Sequence, residues 1–441
     1  MLMKKTFLFF LAAACCGNLL AQTPDTARLS QYLETLSQNN RYMGSVALMK
    51  DGKVMYQKAV GLANIGPSAP NTPQTLFRIG SISKTFTAAM IVKAAEEGKL
   101  KLSDPLKKYF PTLKVVGEAT IAQTLRHRSG IHNFTADTGY LSWHTSPQTE
   151  AQLLARIEKG GRDFAADSTF SYSNSGYALL GFVLEKVYKK PYAQVLEEKI
   201  AKPLGLKHTG IYPTGHNQNA SYRWEGKWVP EAVTDLSVPI GAGNILSTPA
   251  DLTRFFDGLF SGKIVSAASL EEMKTMQDGY GYGLGTFPFN KEKGYGHTGG
   301  IDGYHSMAGY FPQSKIAFAT VSNGLNYTQN DIAIALLQTA HGQAITIPEF
   351  ATKAAADLPK GYPGVYGNGM LPFKITVTQS GDVLTMQATG QGAFPLEKVS
   401  GEQYQFTPAG IQVEFFPAEN AFMMKQGGGT FRFEKEAAKD N

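Results

Sequence analysis

Cysteine is nearly absent from this chain of 441 residues: the two that occur, Cys15 and Cys16, are neighbours close to the start. Removal of the segment that holds them leaves a protein without disulfides or thiol chemistry. Charge of one sign is scarce too. The formal net charge is +6, from 42 Lys and Arg against 36 Asp and Glu, and no five like charges run together. That excludes a nucleic-acid-binding arm and a polybasic lipid anchor. Beyond the first 21 residues no 18 consecutive apolar residues occur, so no transmembrane segment is expected in the mature chain. The eight histidines form no His-x-x-x-His pattern and the cysteines no Cys-x-x-Cys, so neither a metal nor another cofactor is expected. No long-period repeat is found.

What remains is ordinary globular material. Hydrophobic residues make up 43% and charged residues 18%, enough for a sizeable core in a chain too long for one typical domain. Residues 1–21 read as a signal peptide. Lys4 and Lys5 supply its positive end, Phe7 to Ala14 an apolar stretch too short to span a bilayer, and Ala21 a cut site. That predicts a periplasmic or secreted protein. A cut at Cys15 or Cys16 would instead leave a lipid-anchored one. Composition then divides the rest into a domain over 22–346, a linker over 347–360 and a β-rich domain over 361–441.

Between Gly44 and Gly61 two apolar-rich runs flank Asp51-Gly52, a strong hairpin signal. From about Ser83, residues Phe86, Ala89, Met90 and Lys93 keep helical spacing, and Gly98 is a good stop. The stretch 104–235 is mixed and helix-leaning. Strand-like text returns at 305–323, where the apolar run Ile316 to Val321 is bounded by Pro312 and Asn323-Gly324. In the tail, Phe373 to Thr378, Val383 to Ala388, Tyr404 to Thr407, Ile411 to Phe416 and Thr430 to Glu434 read as strands, with turns at Ser380-Gly381-Asp382 and Gly427-Gly428-Gly429. Such spacing predicts a small all-β barrel or sandwich.

Three motifs carry chemistry. Ser81 is the one serine in the chain with a lysine three positions on, Lys84. On a helix that spacing puts both on one face, where the amine can take the hydroxyl proton. At the first turn the helix dipole also favours a developing alkoxide. In Tyr172-Ser173-Asn174, a tyrosine near a protonated lysine has its phenolate stabilised, so it can act as a base near neutral pH. The Asn174 amide can hold a substrate carbonyl and the lysine together. In His297-Thr298-Gly299-Gly300 the glycines let backbone approach a substrate, and the Gly300 N–H can pair with that of Ser81 as an oxyanion hole. An imidazolium at His297 would attract a carboxylate below a nominal pKa of about 6.5. Tyr-x-Asn recurs at Tyr366-Gly367-Asn368 and His-Thr-Gly at His208-Thr209-Gly210; both second copies read as structural.

Ser-x-x-Lys, then Tyr-x-Asn, then His-Thr-Gly resembles the penicillin-recognising serine hydrolases, on the class C β-lactamase and D-Ala-D-Ala carboxypeptidase side. Leu125-Arg126-His127-Arg128-Ser129-Gly130, Pro203-Leu204-Gly205-Leu206 and Gly243-Asn244-Ile245-Leu246-Ser247-Thr248 support the resemblance, which covers roughly 25–340. It implies an α+β fold: a mainly antiparallel sheet flanked by helices, a helical lobe beside it, and the site between them. It also implies Ser81 as nucleophile, Lys84 and Tyr172 as proton carriers, Asn174 as substrate contact, and His297 and Thr298 lining the far wall. Histidine in place of the usual β-lactamase lysine is similar to carboxypeptidase, D-amino-acid peptidase and esterase members. The tail resembles the lipocalin-like barrel appended to some of these. The expected activity is therefore amide or ester hydrolysis of a small-molecule or peptide substrate. Alternatives are a β-lactamase, a small-ester esterase, or a penicillin-binding sensor that acylates without turnover.

Overall fold

A computed structural model of the chain describes residues 24–212, 219–350 and 361–436, except 370, 372, 381–382 and 390–392. The expected signal peptide and most of the expected linker lie outside the described residues. Helix α1 (Thr26–Gln38) opens on Asp25, whose carboxylate accepts the Arg28 N–H at 2.8 Å. Strands β1 (Tyr42–Lys50) and β2 (Lys53–Val60) form the expected hairpin. Asp51 and Gly52 both take left-handed backbone, φ 50° and 72°, as a tight hairpin turn requires.

A two-residue strand, β3 (Phe77–Arg78), leads through the tight turn Gly80–Ile82 into α2 (Ser83–Glu96). Eleven of the fourteen α2 residues are buried, so the helix runs through the interior rather than along the surface. Helix α3 (Asn174–Tyr188) starts where the Ser173 hydroxyl accepts the Gly176 N–H at 3.3 Å. Then come β4 (Leu246–Ser247), which pairs with β3, and α4 (Pro249–Phe260). Strands β5 (Gly285–Phe289), β6 (Glu292–Ile301), β7 (Tyr304–Phe311) and β8 (Ile316–Leu325) precede α5 (Gln329–Ala340).

The central sheet has the order β2-β1-β8-β7-β6-β5 with antiparallel neighbours throughout. A short hairpin, Tyr222–Trp224 and Trp228–Pro230, joins it beside Gly324. Strand alternation gives each face its own core. Val46, Leu48, Phe311 and Phe318 pack with Leu29 and Leu33 of α1 and with Ile332 and Leu336 of α5. On the other face Ala308, Ala317 and Ala319 are small, which admits the aromatic layer of α2 and α4, where Phe86 stacks on Phe255 at 3.6 Å. Strand β8 runs past Asn323-Gly324, which the sequence pattern marked as its boundary. Buried Asn323 stays in the strand because its amide donates to the carbonyls of Leu62, Ala63 and Ala220.

The tail is a closed barrel of eight sequential antiparallel strands spanning Gly364 to Lys435, with the first paired to the last through Tyr366 and Lys435. Closure removes the sheet edges. Three of the strands, Gly364–Gly367, Phe394–Ser400 and Ala421–Gln426, were not expected from sequence. Glycine opens the first and Pro395 interrupts the second, both of which weaken a strand pattern. Tyr362, Phe415, Phe422 and Phe433 fill the interior with stacked rings.

Candidate active site

Ser81 sits in the turn Gly80–Ile82, at the junction of the sheet and the interior helix α2. Gly80 has φ 47°, and a Cβ there would lie 2.9 Å from the Gly300 nitrogen. Only glycine lets β6 cross the turn this closely. Beneath Ser81, Lys84 is fully buried. Its Nζ lies 3.0 Å from Ser81 Oγ, 2.7 Å from Asn174 Oδ1 and 2.9 Å from the Ala242 carbonyl. Burial pushes the amine well below its ordinary pKa. Two of the three partners can only accept hydrogen bonds, whereas a serine hydroxyl can also donate. The amine is placed to donate to all three oxygens, and loss of one of its protons would free a lone pair facing Ser81.

Asn174 is oriented from both ends. Its N–H donates to Asn133 Oδ1 at 3.1 Å and its side-chain amide to Thr135 Oγ1 at 3.0 Å. The Tyr172 ring centre lies 4.7 Å from Lys84 Nζ. Burial raises the phenol pKa, and the hydrogen bond with Ser81 offsets part of the rise. The phenolate stabilisation expected from sequence is outweighed by burial, so Tyr172 rests as a neutral phenol. His127 secures the segment, taking the Ser171 N–H on its carbonyl at 3.0 Å and the Ser173 N–H on Nδ1 at 3.1 Å.

Strand β6 forms the facing wall. Strand β5 pairs with it only as far as Gly296, so from His297 onward that edge carries no strand among the described residues. His297 is buried; Nε2 lies 2.8 Å from the Tyr280 hydroxyl, and Nδ1 contacts the Thr298 carbonyl. A carbonyl only accepts, so Nδ1 carries the proton and Nε2 takes the Tyr280 O–H. Burial, aided by Lys84, lowers the imidazole pKa to about 4. The nominal titration near 6.5 is thus moved down: the ring is neutral at physiological pH and both nitrogens are occupied. Thr298 is exposed, and its carbonyl rather than its hydroxyl makes the contact with His297. At Gly299 a Cβ would meet the Ile79 carbonyl at 2.1 Å and Ser306 Oγ at 2.3 Å. This close fit brings the Gly300 backbone beside the Ser81 turn.

The three motifs, separated by some 90 and 120 residues, thus converge at one place. Their second copies do not. His208 donates its N–H to Asp251 at 2.7 Å, and Tyr366 lies inside the barrel with its hydroxyl on the Tyr362 carbonyl. Sequence reasoning missed Ala242, Tyr280, Asn133 and Thr135 as parts of the site, and noted His127 only within the supporting text. Ala242 immediately precedes Gly243-Asn244-Ile245, so that text was a usable signal. Tyr280 offered none, since its role depends on a contact across 17 residues.

The Beta-lactamase family model matches residues 29–343. Teichoic acid D-alanine hydrolase of Staphylococcus aureus is 29% identical over 279 residues, which span 60% of this chain and 66% of that protein. Among solved structures, a D-stereospecific amidohydrolase from Streptomyces sp. aligns at 28% identity and a TM-score of 0.60, over 68% of this chain and 95% of its own. The octameric penicillin-binding protein homologue from Pyrococcus abyssi aligns at 28% identity and a TM-score of 0.64, over 93% of this chain and 99% of its own, a span that includes barrel residues. With the motifs, the sheet and the match coinciding over the same stretch of residues, the chain belongs to the beta-lactamase family and is a serine hydrolase.

Proposed function

We propose that this protein is an exported hydrolase that cleaves amide or ester bonds of D-aminoacyl substrates through an acyl-enzyme on Ser81. The observation that carries this reading is the setting of Lys84: a fully buried amine, pushed by burial well below its ordinary pKa, 3.0 Å from the Ser81 hydroxyl and held there by Asn174 and Ala242. Ser81 Oγ attacks the substrate carbonyl as its proton passes to Lys84 Nζ. The carbonyl oxygen takes the negative charge between the N–H groups of Ser81 and Gly300. The carbon–leaving-group bond then breaks, and the leaving nitrogen or oxygen takes a proton from the neutral Tyr172 phenol, which Lys84 reprotonates. Water repeats the sequence to release the acid and restore Ser81. Asn174 orients both Lys84 and the substrate, and His297 with Thr298 forms the wall along which the substrate lies.

Two of the relatives are named for D-configured substrates, which supports D-aminoacyl specificity. Neutrality of His297 supports it too, because a β-lactam carboxylate would meet no charge there. The division into signal peptide 1–21, catalytic domain 22–346, linker 347–360 and β-domain 361–441 belongs to the same proposal. It is supported by the match ending at 343 and the barrel starting at Gly364.

The test is a panel of chromogenic substrates: a D-aminoacyl amide, a D-Ala-D-Ala peptide, a short p-nitrophenyl ester and a cephalosporin. It is run on the wild-type protein and on Ser81→Ala. Turnover of the D-aminoacyl compounds that vanishes in Ser81→Ala is expected, with a fluorophosphonate label mapping to Ser81. A cephalosporin preferred over every D-aminoacyl compound would refute the substrate assignment.

A further inference from the structure

Arg78 and Asp302 are a buried ion pair that the chemistry above does not use. Their side chains are 2% and 4% exposed, with Arg78 Nη1 3.6 Å from Asp302 Oδ2. Thr234 lies between them. Its carbonyl accepts from Arg78 Nη1 at 2.5 Å, its N–H donates to Asp302 Oδ2 at 3.1 Å, and its hydroxyl donates to Asp302 Oδ1 at 2.6 Å. Asp302 holds left-handed backbone, φ 52°, which is uncommon away from glycine. The positions matter: Arg78 is three residues before Ser81, and Asp302 is two residues after Gly300.

We infer that Arg78, Thr234 and Asp302 are positioning residues that clamp the Ser81 turn to the end of strand β6 and so set the spacing of the two oxyanion N–H groups. The inference rests on the proposed roles of Ser81 and Gly300. The two donors belong to separate chain segments, and an oxyanion site works only when both lie within about 2.7–3.1 Å of the same oxygen. One anchor is already visible: Ser306 Oγ donates to the Ile79 carbonyl at 2.8 Å and ties strand β7 to the turn. Main-chain pairing joins β6 to β7 as far as Ile301 and Tyr304, so this anchor holds the two strands against the turn from one side. The ion pair adds a second anchor, joining Arg78, two residues before the turn, to Asp302, the first residue beyond β6, through Thr234 of a third segment. Buried ion pairs add little net stability compared with apolar packing. What this one supplies is direction and a defined separation, held by three hydrogen bonds on the two carboxylate oxygens and the Thr234 carbonyl.

The test uses the full chain with two substitutions. Thr234→Val removes one hydroxyl and keeps the backbone contacts; Asp302→Asn keeps the shape and removes the charge. For each variant, kcat and KM on a chromogenic D-aminoacyl substrate, the Ki of a boronic acid that forms a tetrahedral adduct, and Tm are measured. Expected is a fall in kcat and a matching loss of boronate affinity, both about tenfold or more for Asp302→Asn and smaller for Thr234→Val, with KM within about threefold. A merely structural pair would lower Tm and leave the folded enzyme's kcat and boronate affinity within about twofold of wild type, and that result overturns the clamp. If Asp302→Asn fails to fold, Thr234→Val decides by the same pair of readouts. Labelling and turnover that survive Ser81→Ala would remove the nucleophile assignment itself, and the clamp with it.

Discussion

Lys84 has no exposed surface and three oxygen neighbours, and its role follows from that environment. Replacing it with Met keeps the chain length and removes the base. Lys84→Met should fold, yet lose at least about a thousandfold in the rate of Ser81 acylation, measured by fluorophosphonate labelling; labelling at the wild-type rate would exclude Lys84 as the base. His297 makes a pH prediction. Its ordinary pKa is about 6.5 and the folded value is about 4, so between these values the unfolded chain binds a proton that the folded chain refuses. Stability from this residue is therefore full above about pH 6.5 and declines as pH falls toward 4, by on the order of 3 kcal/mol. His127 titrates in the same direction, so the contribution is isolated by comparing urea unfolding of the wild type with His297→Gln across that window. The wild type should lose more stability on acidification than the variant. Above pH 6, the rate ratio between carboxylate-bearing and neutral substrates should stay flat. A ratio that fell through pH 6.5 would show that His297 gains its proton in the complex.

Strand β6 and the Ser81 turn meet without any intervening side chain, because Gly80 and Gly299 occupy the contact. A methyl at position 299 would overlap the Ile79 carbonyl and Ser306 Oγ, both part of the structure that holds the turn. Neither atom is the far end of a flexible chain, so the strand must move. Gly299→Ala should lower kcat by about a hundredfold or more, since a displacement of about 1 Å is enough for such a loss. It should also destabilise the protein by about 1–3 kcal/mol through overpacking. Steady-state kinetics and chemical denaturation check the two parts. Wild-type kcat in the variant would mean that the strand tolerates separation from the turn.

At the scale of the whole molecule, the barrel closes on itself through the pairing of Tyr366 with Lys435 and has its own aromatic core. Contacts between the barrel and the rest include the Arg41–Glu397 ion pair and the Thr328 hydroxyl donating to the Thr407 carbonyl at 3.0 Å. A unit with a separate core is expected to fold independently. A chain ending at residue 350 should therefore stay soluble and label at Ser81 within about threefold of the full-length rate, with Arg41 newly exposed. Size-exclusion chromatography and intact-mass labelling measure this; an aggregated or unlabelled product would make the barrel part of the catalytic core.

Local order was readable from residues alone. The Asp51-Gly52 hairpin, helix α2 and its stop at Gly98, and the alternating strands of the tail all depend on backbone preferences and short-range periodicity. The nucleophile and its lysine were readable for the same reason, since i and i+3 on one helix face are neighbours in any fold. Resemblance then joined the three motifs into one site. The tertiary structure decided the protonation states. Whether a lysine is charged, a tyrosine ionised or a histidine cationic depends on how much water reaches it, and burial moved the Tyr172 pKa up and the His297 pKa down from the values that sequence alone suggests. It also brought in Ala242, Tyr280 and Thr135, which no spacing connects to Ser81. Desolvation and long-range contacts are properties of the packed molecule, and they set what the legible residues do.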